Sequence, residues 1–274
     1  MSWIQSIIYG LISGISEFLP ISSRAHQEIL EYLFGNTVTD PVRSFFIHLA
    51  VLLALRSSLR SYLDQIRREN LIRKDRRRSK AGLKSTLDIS LVKNAAVIMV
   101  IGMCLLTFAL GREIPMLWLC VLLLCNGFVL FMAERSVKGN KAAKHMSLLD
   151  SWLMGLLSAC AVLPGISRIG AANSVAVMRG ADRNKAINWA LLLSIPALLC
   201  WLVLDIFSMF TVSTGLGFWA SLGGYLLSAI FAYIGASLSL YLVKLMASRS
   251  VHMAFAYYAW GAALFTFLIY LIVA

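Results

Sequence analysis

Two short runs place serine beside arginine inside otherwise apolar sequence: Leu19-Pro20-Ile21-Ser22-Ser23-Arg24 and Leu163-Pro164-Gly165-Ile166-Ser167-Arg168. Each follows a Gly-Leu-apolar-Ser stretch, Gly10–Ser13 in one half and Gly155–Ser158 in the other. Polar and ionisable groups at membrane depth are expensive to keep, so by default such clusters mark a functional site. The chemistry they suit is that of a phosphoryl group. Arg168 offers a planar fork of donors that stays charged at any relevant pH, which matches a diphosphate oxyanion; its other use would be to bond the last carbonyls of a helix. Ser23 can serve as nucleophile or as a donor to phosphate, and as nucleophile it needs a base nearby. His26 lies three residues on, within one helical turn, and can share its face. It is a candidate base or nucleophile, or else a bridge between helices.

Glu17 follows Ser13 by four residues, so both project from one helix face. A carboxylate at the end of a broken helix can hold a hard cation or accept a proton. Arg24 brings a further positive charge, unless it turns to the outer aqueous surface. Ser22 and Ser167 are expected to orient the breaks or donate to phosphate. Pro20, Pro164, Gly165 and Gly170 are expected to shape the backbone there. His48 either lines the pocket or packs, Asp205 reads as an interfacial acid, and His145 and His252 have no assigned role.

The elements that must carry these residues are membrane helices. The chain is 59% hydrophobic and 14% charged, with the charges confined to a few stretches. A hydrocarbon layer of roughly 30 Å needs about 20 helical residues, and six stretches read as full spans: 45–60, 95–110, 115–133, 188–210, 218–243 and 252–274. Residues 3–34 and 152–178 are apolar but broken at Pro20 and at Pro164-Gly165. Each is too short for two crossings and too interrupted for one, so each is expected to dip in and return to the same side, its irregular backbone facing protein or water. No basic residue precedes the first apolar run, which reads as part of the mature fold and not as a cleaved leader. The five cysteines lie in apolar sequence and read as packing residues.

The net charge of +12 lies mostly between Arg56 and Lys93. A cytoplasmic loop obeying the positive-inside rule accounts for it without nucleic acid, with anionic headgroups as a secondary contact. Loops 61–93, 134–151, 179–187 and 244–251 are basic and fall on the cytoplasmic side by counting spans; 111–115 and 211–217 fall outside. The first broken pair then enters from outside and the second from the cytoplasm. The expected fold is an all-α polytopic membrane protein with an inverted-topology repeat, each half one re-entrant helix pair plus three transmembrane helices. Residues 1–133 form the first repeat and 134–274 the second, within one integrated membrane domain. In such folds broken helices meet near the midplane, and their N-termini point at anionic groups.

The run Glu17-Phe18-Leu19-Pro20-Ile21-Ser22-Ser23 with His26, taken with Pro164-Gly165-Ile166-Ser167-Arg168 and Gly170, resembles the undecaprenyl pyrophosphate phosphatase family, the bacitracin-resistance membrane phosphatases. Ile47-His48-Leu49 and Leu191–Pro196 fit the same likeness, which covers essentially the whole chain. The resemblance implies an enzyme that removes the terminal phosphate of a C55 polyprenyl diphosphate and recycles the lipid carrier for cell-wall synthesis. It implies a multi-pass protein of the bacterial plasma membrane, a site facing the periplasm, and a divalent cation, magnesium or calcium. Carried over by position, Glu17, Ser23, His26 and Arg168 would be catalytic, and Ser22, Arg24, Ser167, Gly165 and Gly170 would bind substrate. Glu17 would be the metal ligand.

Three departures bear on this. The family has an acidic or amide residue where this chain has Ser13, a small pair where it has Arg24-Ala25, and a serine where it has Ile169. Ser13 and Arg24 together move the site about two charge units toward positive. Arg24 is therefore expected to replace the cation in part, leaving the metal requirement reduced or absent, because phosphoryl transfer depends on positioning and charge neutralisation.

The expected partners are a polyprenyl diphosphate lipid and the bilayer, and no nucleic acid. The oligomeric state is left open, a homodimer included. The competing reading is a transporter or flippase of a polyprenyl phosphate with a degenerate catalytic site, since inverted repeats with broken helices are transporter architecture. A membrane protein with an interaction role comes third. The type 2 phosphatidic acid phosphatases are disfavoured, because they need a His within two helical turns of the Arg and none follows Arg168 before His252.

Overall fold

The computed structural model describes residues 1–35, 40–78, 88–110, 115–137, 139–141, 145–211, 218–246 and 252–273. Among them the chain forms helices α1 (Trp3–Phe18), α2 (Ser23–Leu33), α3 (Pro41–Arg78), α4 (Asp88–Leu110), α5 (Met116–Arg135), α6 (Leu148–Ala159), α7 (Arg168–Met178), α8 (Arg183–Thr211), α9 (Phe218–Met246) and α10 (His252–Val273). Segments of α3, α4, α5, α8, α9 and α10 are long and apolar enough to cross a membrane: Pro41–Asp64, Ser90–Ala109, Met116–Arg135, Arg183–Thr211, Ser221–Leu245 and His252–Ile272. They fall where the apolar runs predict spans. The protein is an all-α, multi-pass membrane protein.

The basic stretch differs from the expectation of a loop over 61–93. Helix α3 continues through it to Arg78, 38 residues in all. Arg, Lys, Glu, Gln and Leu are good helix formers, so nothing stops the helix once it leaves the apolar layer. Residues 79–87 lie outside the described residues, as do 111–114, 212–217, 247–251, Lys138 and 142–144, on which parts of the expected loops fall. The connector expected over 179–187 shortens, because α8 begins at Arg183.

The two short helix pairs are built with the same devices. Helix α1 starts in a capping box between Ser2 and Gln5, and α6 in one between Ser147 and Asp150. Helix α1 stops before Leu19-Pro20. A tight turn, Cys160–Val162, follows α6 and leads to Pro164 and to Gly165 at φ 115°. After each break a serine caps the next helix: Ser22 Oγ accepts from Ala25 N, and Ser167 Oγ accepts from Gly170 N. The caps pair Ser22 with Ser167. Ser23 thus takes the helix position of Arg168, one residue out of register from the direct overlay of the two motifs. Ser22 holds φ 68°, a left-handed conformation uncommon for a residue with a Cβ and one that surrounding contacts must enforce.

Small residues bring the short helices against their long neighbours. A Cβ on Gly10 would lie 2.2 Å from Ser228 O, one on Gly14 2.2 Å from Ala232 O, and one on Gly155 2.3 Å from Ala95 O. Helix α1 therefore lies directly on α9, and α6 on α4, in the close packing that small residues permit. Helix α5 packs on α10, and α3 runs across α8 and α9. Phe18, Ile47, Met99, Met103, Trp189 and Leu193 are buried at the centre. The outer faces carry exposed Leu105, Phe108, Val203, Phe210 and Phe265, as a hydrocarbon solvent requires.

Candidate active site between two helix breaks

The breaks after α1 and α6 meet. Gly165 N donates to Ser22 Oγ at 3.0 Å, and Ser167 Oγ donates to the Leu19 carbonyl at 3.2 Å. Asn126 of α5 joins them: its Nδ2 donates to the Pro20 carbonyl at 3.1 Å, and its Oδ1 accepts from Ser167 N at 2.9 Å. Irregular backbone inside an apolar layer must find its partners within the protein, and these four bonds are how the two breaks do so. Gly170 supplies the close approach, with Pro20 Cβ only 3.1 Å from where its own Cβ would sit.

Beside this junction opens a small cleft, lined among others by Glu17, Ser23, Arg24, His48, Ser167, Arg168 and Trp201. The first turns of α2 and α7 both face it, so two positive helix ends converge there, an arrangement that favours an anion. Arg168 Nη2 lies 2.5 Å from Glu17 Oε1, and the two side chains are 7% and 6% exposed. Such a pair is costly to form and more costly to break, because the survivor would be a buried charge. Arg168 Nε is also buried and has no protein partner. Glu17 thus aims the guanidinium while part of its donor fork stays uncommitted.

Residues 6–265 match the family model described as bacitracin resistance protein BacA. The chain belongs to this family. Undecaprenyl-diphosphatase of Treponema denticola is 31% identical over 247 residues, 89% of this chain and 90% of the relative. Undecaprenyl-diphosphatase 1 of Shouchella clausii is 30% identical over 273 residues, 98% of this chain and 96% of the relative. Undecaprenyl-diphosphatase of Nocardioides sp. is 34% identical over 202 residues, 73% of each.

In this BacA-family chain the cleft is lined by Glu17, Ser23, Arg24, Ser167 and Arg168 of the residues singled out by sequence; Ser22, Gly165 and Gly170 shape the junction beside it. Arg24 does not turn away: its guanidinium lies over the Trp201 ring, 4.6 Å from the centroid, and lines the cleft beside Arg168. His26 is not brought to the cleft. Its Nδ1 is 2.7 Å from the Ser22 carbonyl, and its Nε2 is 2.7 Å from the Tyr258 hydroxyl of α10, on which the ring also stacks. The helix that starts at Ser23 sends position 26 round toward α10, although three-residue spacing allows a shared face. Ser13 is buried with its hydroxyl unpartnered, one turn before Glu17.

Asn126 escapes a reading of the motifs, and so does the pairing of His48 with Asp205. Asn126 carried a signal, an amide in the middle of an apolar span. His48 and Asp205 carried a weaker one. His48 Nδ1 lies 2.6 Å from Asp205 Oδ2, and the His48 ring stacks on Trp201 with centroids 5.9 Å apart. Asp205 is therefore a buried partner of His48.

Calcium and magnesium take six or more oxygens, with carboxylates prominent among them. Among the described residues no three acidic, histidine or cysteine side chains gather as ligands. Glu17 is the carboxylate lining the cleft; its Oε1 is held by one guanidinium, and a second stands nearby. These protein groups do not fit a divalent-cation site.

Proposed function

We propose that this chain is an undecaprenyl-diphosphate phosphatase that releases inorganic phosphate and returns the monophosphate carrier to cell-wall synthesis. The observation that carries the reading is the Glu17-aimed guanidinium of Arg168 in one cleft with Ser23. The names of the full-length relatives supply the substrate class. The terminal phosphate would sit against Arg168, Arg24 and the starts of α2 and α7, with Ser23 Oγ positioned to attack phosphorus. Charge neutralisation and positioning are what phosphoryl transfer asks of a protein. Two guanidiniums against one carboxylate meet that demand, so Arg24 does here what a cation would otherwise do. Ser22, Ser167, Gly165 and Gly170 hold the breaks in place around the phosphate.

The packing supports an inverted repeat. Pairing α1 to α5 in order with α6 to α10 turns the α1–α9 contact into the α6–α4 contact, and both use glycine against backbone. With the basic stretches inside, the first break enters from the outer face of the plasma membrane, and the cleft opens that way. Transporters share this architecture, so movement of a polyprenyl phosphate is the second reading.

The deciding assay is phosphate release from C55 and C15 prenyl diphosphates by purified protein in detergent, with and without chelator. Release that survives chelator and is lost in Ser23→Ala and in Arg24→Ala is expected. Chelator-abolished release that Arg24→Ala leaves intact would overturn the role of Arg24. Binding without release, with lipid movement in vesicles, would favour transport.

A further inference from the structure

The phosphatase reading leaves Ser23 without a base, because both ring nitrogens of His26 are engaged away from the cleft. A different histidine lines the cleft. His48 comes from α3, a helix far in sequence from either break. Its Nδ1 is 2.6 Å from Asp205 Oδ2, its ring is braced flat on Trp201, and both side chains of the pair are about nine-tenths buried. A carboxylate on Nδ1 fixes the tautomer, so the lone pair of the neutral ring is on Nε2. A base held by an orienting carboxylate, in the same cleft as a serine, is the generalised arrangement for activating a hydroxyl.

We infer that His48, oriented by Asp205, is the acid–base catalyst of the phosphoryl transfer in this cleft. The inference rests on the proposed phosphatase reading and completes it. In the first step Ser23 Oγ forms a bond to the terminal phosphorus, and its proton passes to His48 Nε2. The bond from that phosphorus to the bridging oxygen breaks, and the polyprenyl phosphate departs with the proton from His48. In the second step water attacks the phosphoserine and gives a proton to His48. The bond from phosphorus to Ser23 Oγ breaks, and Oγ takes that proton back. The sum is diphosphate and water to monophosphate and inorganic phosphate. His48 is a catalytic residue in this scheme. Asp205 and Trp201 are positioning residues.

Charged side chains surround His48. Glu17 of α1, Arg24 of α2 and Arg168 of α7 line the cleft with it, and Asp205 of α8 holds it from behind. Helix α9 also packs on α3, but the Tyr225 ring there lies against Arg43.

The test is the pH profile of kcat/KM for phosphate release from a C15 prenyl diphosphate, measured on full-length protein in detergent. His48→Gln can still donate to Asp205 but cannot titrate. It is expected to lose the acidic limb and to cut kcat by about 100-fold or more with KM little changed. Asp205→Asn, which weakens the hold on the ring, is expected to cut kcat with KM little changed, and His26→Asn to keep the limb. A limb that persists in His48→Gln, or that disappears in His26→Asn, overturns the inference. If His48→Gln does not fold, Asp205→Asn decides, and an unchanged kcat there overturns the inference. Absence of any release by the unmodified protein overturns the phosphatase reading and this inference with it. Release indifferent to His48 overturns the inference alone.

Discussion

Arg168 has two roles that substitutions can separate. It is the proposed phosphate clamp, and it is also the counter-charge of a buried carboxylate. Arg168→Ala would remove both and leave Glu17 unpaired, at a cost of about 3–5 kcal/mol. Loss of activity in that variant alone is therefore uninformative. Arg168→Lys keeps the charge but loses the planar fork, and is expected to retain the fold while kcat/KM falls about 100-fold. The double variant Glu17→Gln with Arg168→Met removes the ion pair as a unit, and is expected to recover most of the thermal stability lost in Arg168→Ala without recovering phosphate release. Thermal midpoints and release rates on the four proteins check this. Recovery of activity in the double variant would show that the pair is structural only. At this scale the sequence was legible wherever a residue acts within its own motif. Ser22, Ser23, Ser167, Arg168 and Glu17 were found by type and spacing, and the structure gathers them. The pairing of His48 with Asp205 and Trp201 was not, because the contact between α3 and α8 joins residues far apart in the chain, and no local period encodes it.

The elements are held by groups smaller than the site they serve. Gly14 lies one turn before Glu17, and its missing Cβ lets α1 rest on the Ala232 carbonyl of α9. Gly14→Ala places a methyl carbon 2.2 Å from that oxygen. Backbone cannot yield as a flexible side chain does, so α1 must move, at an overpacking cost of about 1–3 kcal/mol. Because Glu17 rides on the same helix, the expected outcome is a lower unfolding midpoint together with reduced phosphate release. The control is Gly261→Ala on α10, where a Cβ meets nothing within 4 Å, and it should leave both unchanged. A Gly14→Ala protein with the wild-type midpoint would mean that the α1–α9 contact is looser than described. The helix breaks themselves were readable from proline and glycine. The length of α3 was not, because charge predicted only that the stretch leaves the membrane, and the same residues that keep it out are also good helix formers.

For the whole molecule, the two breaks can meet tip to tip either in a fold whose halves are inverted or in one whose halves point the same way. The hydrogen bonds at the junction do not distinguish these, but the side on which each half begins does. In the inverted arrangement Ser2, which precedes α1, faces outward, and Val137, which leads toward α6, faces the cytoplasm. Both residues are exposed, so in a background without the five native cysteines each can carry a reporter thiol. An impermeant maleimide added to intact cells is expected to label Ser2→Cys and to label Val137→Cys only after the membrane is opened. Labelling of both from outside would put the halves in parallel. The end of α2 returning to the side from which α1 entered would then be mirrored within one leaflet, and the positive-inside bias would fail for the second half. The physical stake is the direction of the converging helix ends. With inverted halves, α2 and α7 approach from opposite leaflets and their positive ends face one anion held between them. Halves in parallel would point both ends the same way, and the cleft would lose the opposed fields on which the proposed neutralisation of the diphosphate depends.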